Sequence, residues 1–164
     1  MKFQSLGRVG QFVYKVHRLK SRVFKHPPAL FLHIQKTAGS AIVYVLREFY
    51  QNSCINYGEF AGKDPEQLRH VTFISGHFGY DYVKDLIHTR YTFTFLRHPG
   101  ERILSLYYFY LTRDPDQFPV YKFAQEHGLE EFLAAGLQTG MVKKHIWNHQ
   151  AWQLAHGWYS LTNK

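Results

Sequence analysis

The sequence predicts an α/β fold of three layers, a mostly parallel sheet with helices on both faces. Three observations carry that expectation. Three short apolar runs of strand length each end in a polar or small-residue turn, and a helix is expected after each one. The chain of 164 residues is one domain's worth, with 45% hydrophobic and 20% charged residues. Its aromatic share of 18%, rich in Phe and Tyr, suits strands and the helices that cover them.

The first element stands apart. Residues 1–28 hold Lys2, Arg8, Lys15, Arg18, Lys20, Arg22 and Lys25 and no acid, so nearly all of the formal +8 sits there. Within it Phe3, Leu6, Val9, Val13, Val16, Leu19 and Val23 recur at steps of three and four, a basic amphipathic helix stopped by Pro27 and Pro28. Such a helix can lie on an anionic membrane surface, pack as an arm on its own domain or a partner, or serve as a transit peptide. The charge belongs to this segment and no base-stacking or groove-reading motif accompanies it, so nucleic acid is not an expected partner.

Residues 29–164 form the predicted α/β domain. Ala29-Leu30-Phe31-Leu32-His33-Ile34 is a continuous apolar run, read as a buried strand. The turn Gln35-Lys36-Thr37-Ala38-Gly39-Ser40 follows, and Ile42, Val45, Leu46 and Phe49 then mark a helix over 41–50. Strand, small-residue loop and helix N-terminus make an anion site: Gly39 admits close backbone approach, Lys36 brings charge, and Thr37 and Ser40 bring hydroxyls. The loop is P-loop-like and not a Walker A motif, since Lys36 precedes the small residues.

Residues 54–68, with Gly58, Gly62 and Pro65, read as irregular. Val71-Thr72-Phe73-Ile74 is a second strand ending at Ser75-Gly76-His77, and a helix is expected over 80–87. Tyr91 to Leu96 is a third strand, running into Arg97-His98-Pro99, where Pro99 can open a helix bearing Ile103, Leu104 and Tyr107. From Val120 to His156 the pattern is helical, broken at Gly128 and Gly136. All three loops of interest lie at strand carboxyl ends, where ligands of open α/β sheets gather.

Cys54 is the only cysteine, which rules out an internal disulfide and a thiolate cluster and makes a reducing, cytoplasmic setting the default. No apolar run nears the roughly 20 residues of a membrane span, so membrane association is expected only through residues 1–28. His145 and His149 are four apart on an expected helix, but no Glu lies between them in the zincin arrangement and no third ligand is apparent. No metal is expected.

His33-Ile34-Gln35-Lys36-Thr37-Ala38-Gly39-Ser40 resembles the 5′-phosphosulfate-binding loop of the Golgi-type and bacterial carbohydrate sulfotransferases. Phe95-Leu96-Arg97-His98-Pro99 through Tyr108 resembles their 3′-phosphate segment. The texture is nearest to the heparan sulfate 2-O-sulfotransferases, over roughly residues 29–157. The resemblance implies a sulfotransferase using 3′-phosphoadenosine 5′-phosphosulfate (PAPS), without a metal cofactor, acting on a carbohydrate hydroxyl of a polysaccharide, oligosaccharide or glycolipid. Lys36, Thr37, Ala38, Gly39 and Ser40 would hold the 5′-phosphosulfate, and Arg97 and Ser105 the 3′-phosphate. Lys36 would also neutralise the departing phosphate.

Gly76-His77 resembles the Gly-His of members whose histidine is the general base, which makes His77 the catalytic candidate, with Glu48 or Glu101 next. Asn148-His149-Gln150-Ala151-Trp152-Gln153-Leu154 resembles a late segment reading Asn-x-Gln-Thr-Arg-x-Leu. Asn148 and Gln150 become substrate candidates, while Ala151 and Trp152 depart from it. The structural reading of that segment is a helix packing Ile146, Trp147 and Leu154 into the core. Gln35 stands where the family usually has proline, and Ala38 where it often has glycine, a change tolerated if φ is negative. Catalytic domains of the family continue past this segment. The resemblance therefore implies incompleteness at the C-terminus, with marginal stability, self-association and weak activity. The alternative reading is an impaired relative that binds the nucleotide or its product without turnover.

Overall fold

A computed structural model describes residues 26–50, 53–54 and 64–156. The basic helix expected over 1–28 lies, for residues 1–25, outside the described residues.

Four parallel strands form one sheet in the order β2-β3-β1-β4, with β1 at Ala29–Leu32, β2 at Ser53–Cys54, β3 at Phe73–Gly76 and β4 at Tyr91–Thr94. The strands are shorter than the apolar runs that announce them. β1 ends at Leu32: the His33 N–H still reaches the Gly76 carbonyl of β3 at 3.0 Å, but the Ile34 N–H turns back to the Leu32 carbonyl at 3.1 Å. β3 starts at Phe73, two residues later than expected, and takes in Ser75 and Gly76, whose register with Phe31 and Leu32 is set by β1. β2 falls in the segment expected to be irregular, which among the described residues also holds a 3₁₀ turn at Pro65–Leu68 capped by the Asp64 carboxylate.

Side-chain alternation divides the sheet into two faces. Leu30, Leu32 and Ile74 pack with Val83 and Leu86 of α2, which spans Tyr80–Ile87 as expected. Ala29, Phe31 and Phe73 pack with Ile42, Val43 and Leu46 of α1, Gly39–Arg47. One helix on each face gives the three layers. Among the described residues β2 and β4 are the edge strands, and Tyr91 of β4 is 67% exposed.

The second half is helical: α3 Pro99–Leu111, α4 Pro119–Glu126, α5 Leu129–Gln138, α6 Gly140–Ile146 and α7 His149–Ala155. Leu106, Tyr107, Tyr110, Phe132, Val142 and Ile146 close a separate core among them. Of the two glycines expected to break this stretch, Gly128 does precede α5, whereas Gly136 lies inside it. A Cβ on Gly136 would stand 2.6 Å from Val142 Cγ1, so this glycine serves helix approach and not chain reversal. His145 and His149 lie on different helices, because Asn148 takes a left-handed conformation (φ 43°) between α6 and α7. Trp147, expected in the core, is 58% exposed there, while Ile146 is buried and Leu154 packs under α2.

Candidate functional site

The loop after β1 is built by its own residues. Buried Thr37 donates its hydroxyl to the Ile34 carbonyl at 2.9 Å, which closes the turn. Lys36 and Ala38 both have φ of 66°, in the left-handed region that costs an L-residue roughly 1–2 kcal/mol. The expectation of a harmless methyl at position 38 therefore fails: a negative φ is not available where Ala38 caps α1. Gly39 opens α1 against the ring of buried His33, whose Nε2 would lie 2.0 Å from a Cβ there. That ring is stacked on Phe31 at 5.1 Å and lies 4.6 Å from the ring of His77, so it has little room to retreat.

The β3 end presents His77. Its Nδ1 lies 2.5 Å from the His33 carbonyl, an acceptor only, so Nδ1 carries the proton and the lone pair sits on Nε2. Burial drives its pKa down to about 3, helped by His33, His149 and His145 and opposed by the bond to the His33 carbonyl. Burial likewise lowers His33 and His149 to about 4 and His145 to about 3. The four imidazoles are neutral at physiological pH.

The β4 end is open. Arg97 is exposed and its Nε bonds Glu101, one turn ahead on α3, at 3.2 Å. Its peptide is held from α7: the Arg97 N–H donates to Gln150 Oε1 at 3.0 Å, and Gln150 Nε2 donates to the Arg97 carbonyl at 2.8 Å.

These three strand ends surround a cavity of about 960 Å³. Of the residues singled out from sequence, Lys36, Ala38, Gly39, Ser40, His77, Arg97 and Ser105 line it together. Thr37 is turned inward, and neither Asn148 nor Gln150 is in the wall. Asn148 is exposed, and its identity fits its left-handed backbone, which Asn tolerates better than most residues.

Sequence reasoning missed Phe109, Arg113 and Lys144. Lys36 Nζ sits 4.1 Å from the Phe109 ring centroid and the Arg113 guanidinium carbon 4.0 Å from it, both as cation–π contacts. The signal was present, because Ser105, Phe109 and Arg113 are spaced four apart and share one side of α3 and its extension. Burial first, then the charges of Arg113 and Arg97, lower the Lys36 pKa. Among the described residues the wall thus holds Lys36, Arg97, Arg113 and Lys144 and no carboxylate, which fits a ligand with several negative charges.

Among the described residues no group of three or more His, Cys, Asp or Glu can hold a metal ion, and no helix is long and apolar enough to cross a membrane. A parallel sheet with a left-handed, lysine-bearing loop at a helix N-terminus, a second arginine-bearing strand end and a cationic cavity between them is an arrangement suited to a polyanionic ligand. The chain belongs to the Sulfotransferase family, which it matches over residues 20–151, and is thereby a PAPS-dependent sulfotransferase. No curated protein and no solved structure matches it.

Proposed function

We propose that this sulfotransferase transfers the sulfuryl group of PAPS to a carbohydrate hydroxyl, with His77 as general base and the charge of Lys36 offsetting that of the departing phosphate. The observation that carries the reading is the convergence of Lys36, Ser40, His77, Arg97 and Ser105 on one cavity whose charged lining, among the described residues, is cationic. The nucleotide supplies the sulfuryl group, and its product is 3′-phosphoadenosine 5′-phosphate (PAP). Lys36 and Ser40, with the backbone at the start of α1, address the 5′ end. Arg97 and Ser105 address the 3′-phosphate, which 5′-AMP lacks.

His77 Nε2 takes the acceptor's proton as the sugar oxygen bonds to sulfur and the sulfur–oxygen bond to the 5′-phosphate breaks. With Nδ1 held by the His33 carbonyl, the tautomer is the one this role needs. The burial that lowers His77 to about 3 weakens it as a base in the ligand-free protein, and the negative charge of a bound nucleotide acts in the opposite direction. A carbohydrate acceptor is consistent with a cavity larger than the nucleotide's charged groups require and walled in part by Phe109, Phe118 and Tyr121.

The test is release of PAP from PAPS over a panel of poly- and oligosaccharides and glycolipids. Acceptor-dependent release supports the proposal. Tight PAP binding with no release on any acceptor would replace it with a binding protein that has lost turnover, the reading favoured by the low His77 pKa and the altered residues Ala151 and Trp152.

A further inference from the structure

α7 touches the ends of three strands through two side chains. Gln150 and Gln153 are three positions apart and so project from the same side of the helix. Gln150 engages both the N–H and the carbonyl of Arg97, at 3.0 and 2.8 Å, the pattern a paired strand would make. Gln153 is fully buried, and its Nε2 donates to the Phe78 carbonyl at 2.9 Å and to the His33 carbonyl at 3.4 Å. The His33 carbonyl is the same atom that holds His77 Nδ1.

α7 is itself fixed at both ends. His149 Nδ1 meets the Lys144 carbonyl at 3.0 Å, and the His156 carbonyl accepts from the Asp81 N–H at 2.6 Å, tying the end of α7 to the start of α2.

Arg97 needs such a hold. β4 ends three residues earlier, and the exposed pair with Glu101 restrains a side chain weakly. We propose that α7 is a bracket for the reaction site, with Gln150 and Gln153 as positioning residues. Gln150 orients Arg97 toward the 3′-phosphate, and Gln153 sets the distance between the loop bearing Lys36 and the strand end bearing His77. Gln150 thus acts on nucleotide recognition from outside the cavity, through the backbone of its ligand.

The inference rests on Arg97 being the 3′-phosphate ligand, and the experiment separates the two. Calorimetry compares PAP with 5′-AMP on the full chain, on Gln150→Ala, on Gln150→Glu and on Arg97→Ala, and hydrogen exchange follows the amide of residue 97. Gln150→Ala is expected to remove about tenfold or more of the preference for PAP while leaving 5′-AMP affinity unchanged, and to speed exchange of the residue 97 amide. Gln150→Glu, which keeps the acceptor, should restore that amide's protection. Equal weakening of both nucleotides would mark a general loss of structure and overturn the positioning role. So would residue 97 exchanging as slowly in Gln150→Ala as in the wild type. Preference for PAP surviving in Arg97→Ala would refute the ligand assignment instead, while the exchange result still decides whether Gln150 holds the loop.

Discussion

The loop after β1 and the loop after β4 each leave a parallel strand and open a helix, and they are held by opposite means. The first is self-contained: Thr37 bonds Ile34, Gly39 seats on the ring of His33, and left-handed backbone at Lys36 and Ala38 aims the loop into α1. The second has little local restraint. Arg97 and His98 are exposed, and the Arg97 peptide is fixed by Gln150, 53 residues away in sequence. A site facing a polyanion can be rigid on one side through local packing and strain, and on the other through a side chain borrowed from a late helix.

The largest effect is expected where the first loop meets the chemistry. His77→Ala should keep PAPS binding and lose about 10²- to 10⁴-fold in turnover, and Lys36→Ala should weaken binding as well as turnover. Steady-state kinetics with PAP release would show near-normal rates if these residues are bystanders. Next comes Gly39→Ala, whose methyl strikes a ring with nowhere to go. It should cost about 1–3 kcal/mol by denaturant melting, together with nucleotide binding. A wild-type melt would mean that His33 moves freely, and the contrast between the loops would lose its basis.

On the second loop, Arg97→Ala should lower PAP affinity about tenfold to a hundredfold and leave the melt nearly unchanged, because the removed side chain is exposed. Acid should separate the two sides further. His33, His77, His145 and His149 have folded pKa values of about 3 to 4, below the unfolded value of 6.5. Between those limits the unfolded chain binds more protons, so stability is full above pH 6.5 and falls as pH drops toward 4. Each histidine contributes a slope of at most about 1.4 kcal/mol per pH unit. Melting temperatures that do not change from pH 7 to pH 5 would show these rings to be hydrated. The smallest effect belongs to Ala38→Gly. It relieves the left-handed strain but frees the unfolded chain, and should stabilise by less than about 1 kcal/mol.

Legibility in the sequence followed the same division. Residues His33 to Ser40 are contiguous, so their strand, turn and helix start are legible as one unit, and the helix expected over 80–87 is α2, Tyr80–Ile87. Expected and observed strand ends differ by about two residues: Ile34 and Val71 are buried outside the ladder, and Phe95 and Leu96 are exposed beyond the end of β4. The sign of φ at Ala38 is also invisible to composition, since it depends on how the turn must enter α1.

What the sequence determined by itself was the alternation of strands and helices, the lysine loop, Gly76-His77 and the arginine strand end, because each is a local pattern of side chains imposed on a fixed backbone period. The tertiary structure alone decided that Lys36 and Arg113 share the Phe109 ring, that four histidines are neutral by burial, and that Gln150 and Gln153 grip three strand ends. Those contacts join residues up to 120 positions apart. Their distances are set by how α7 and α3 pack against the sheet, and packing is a property of the folded chain and not of any segment within it.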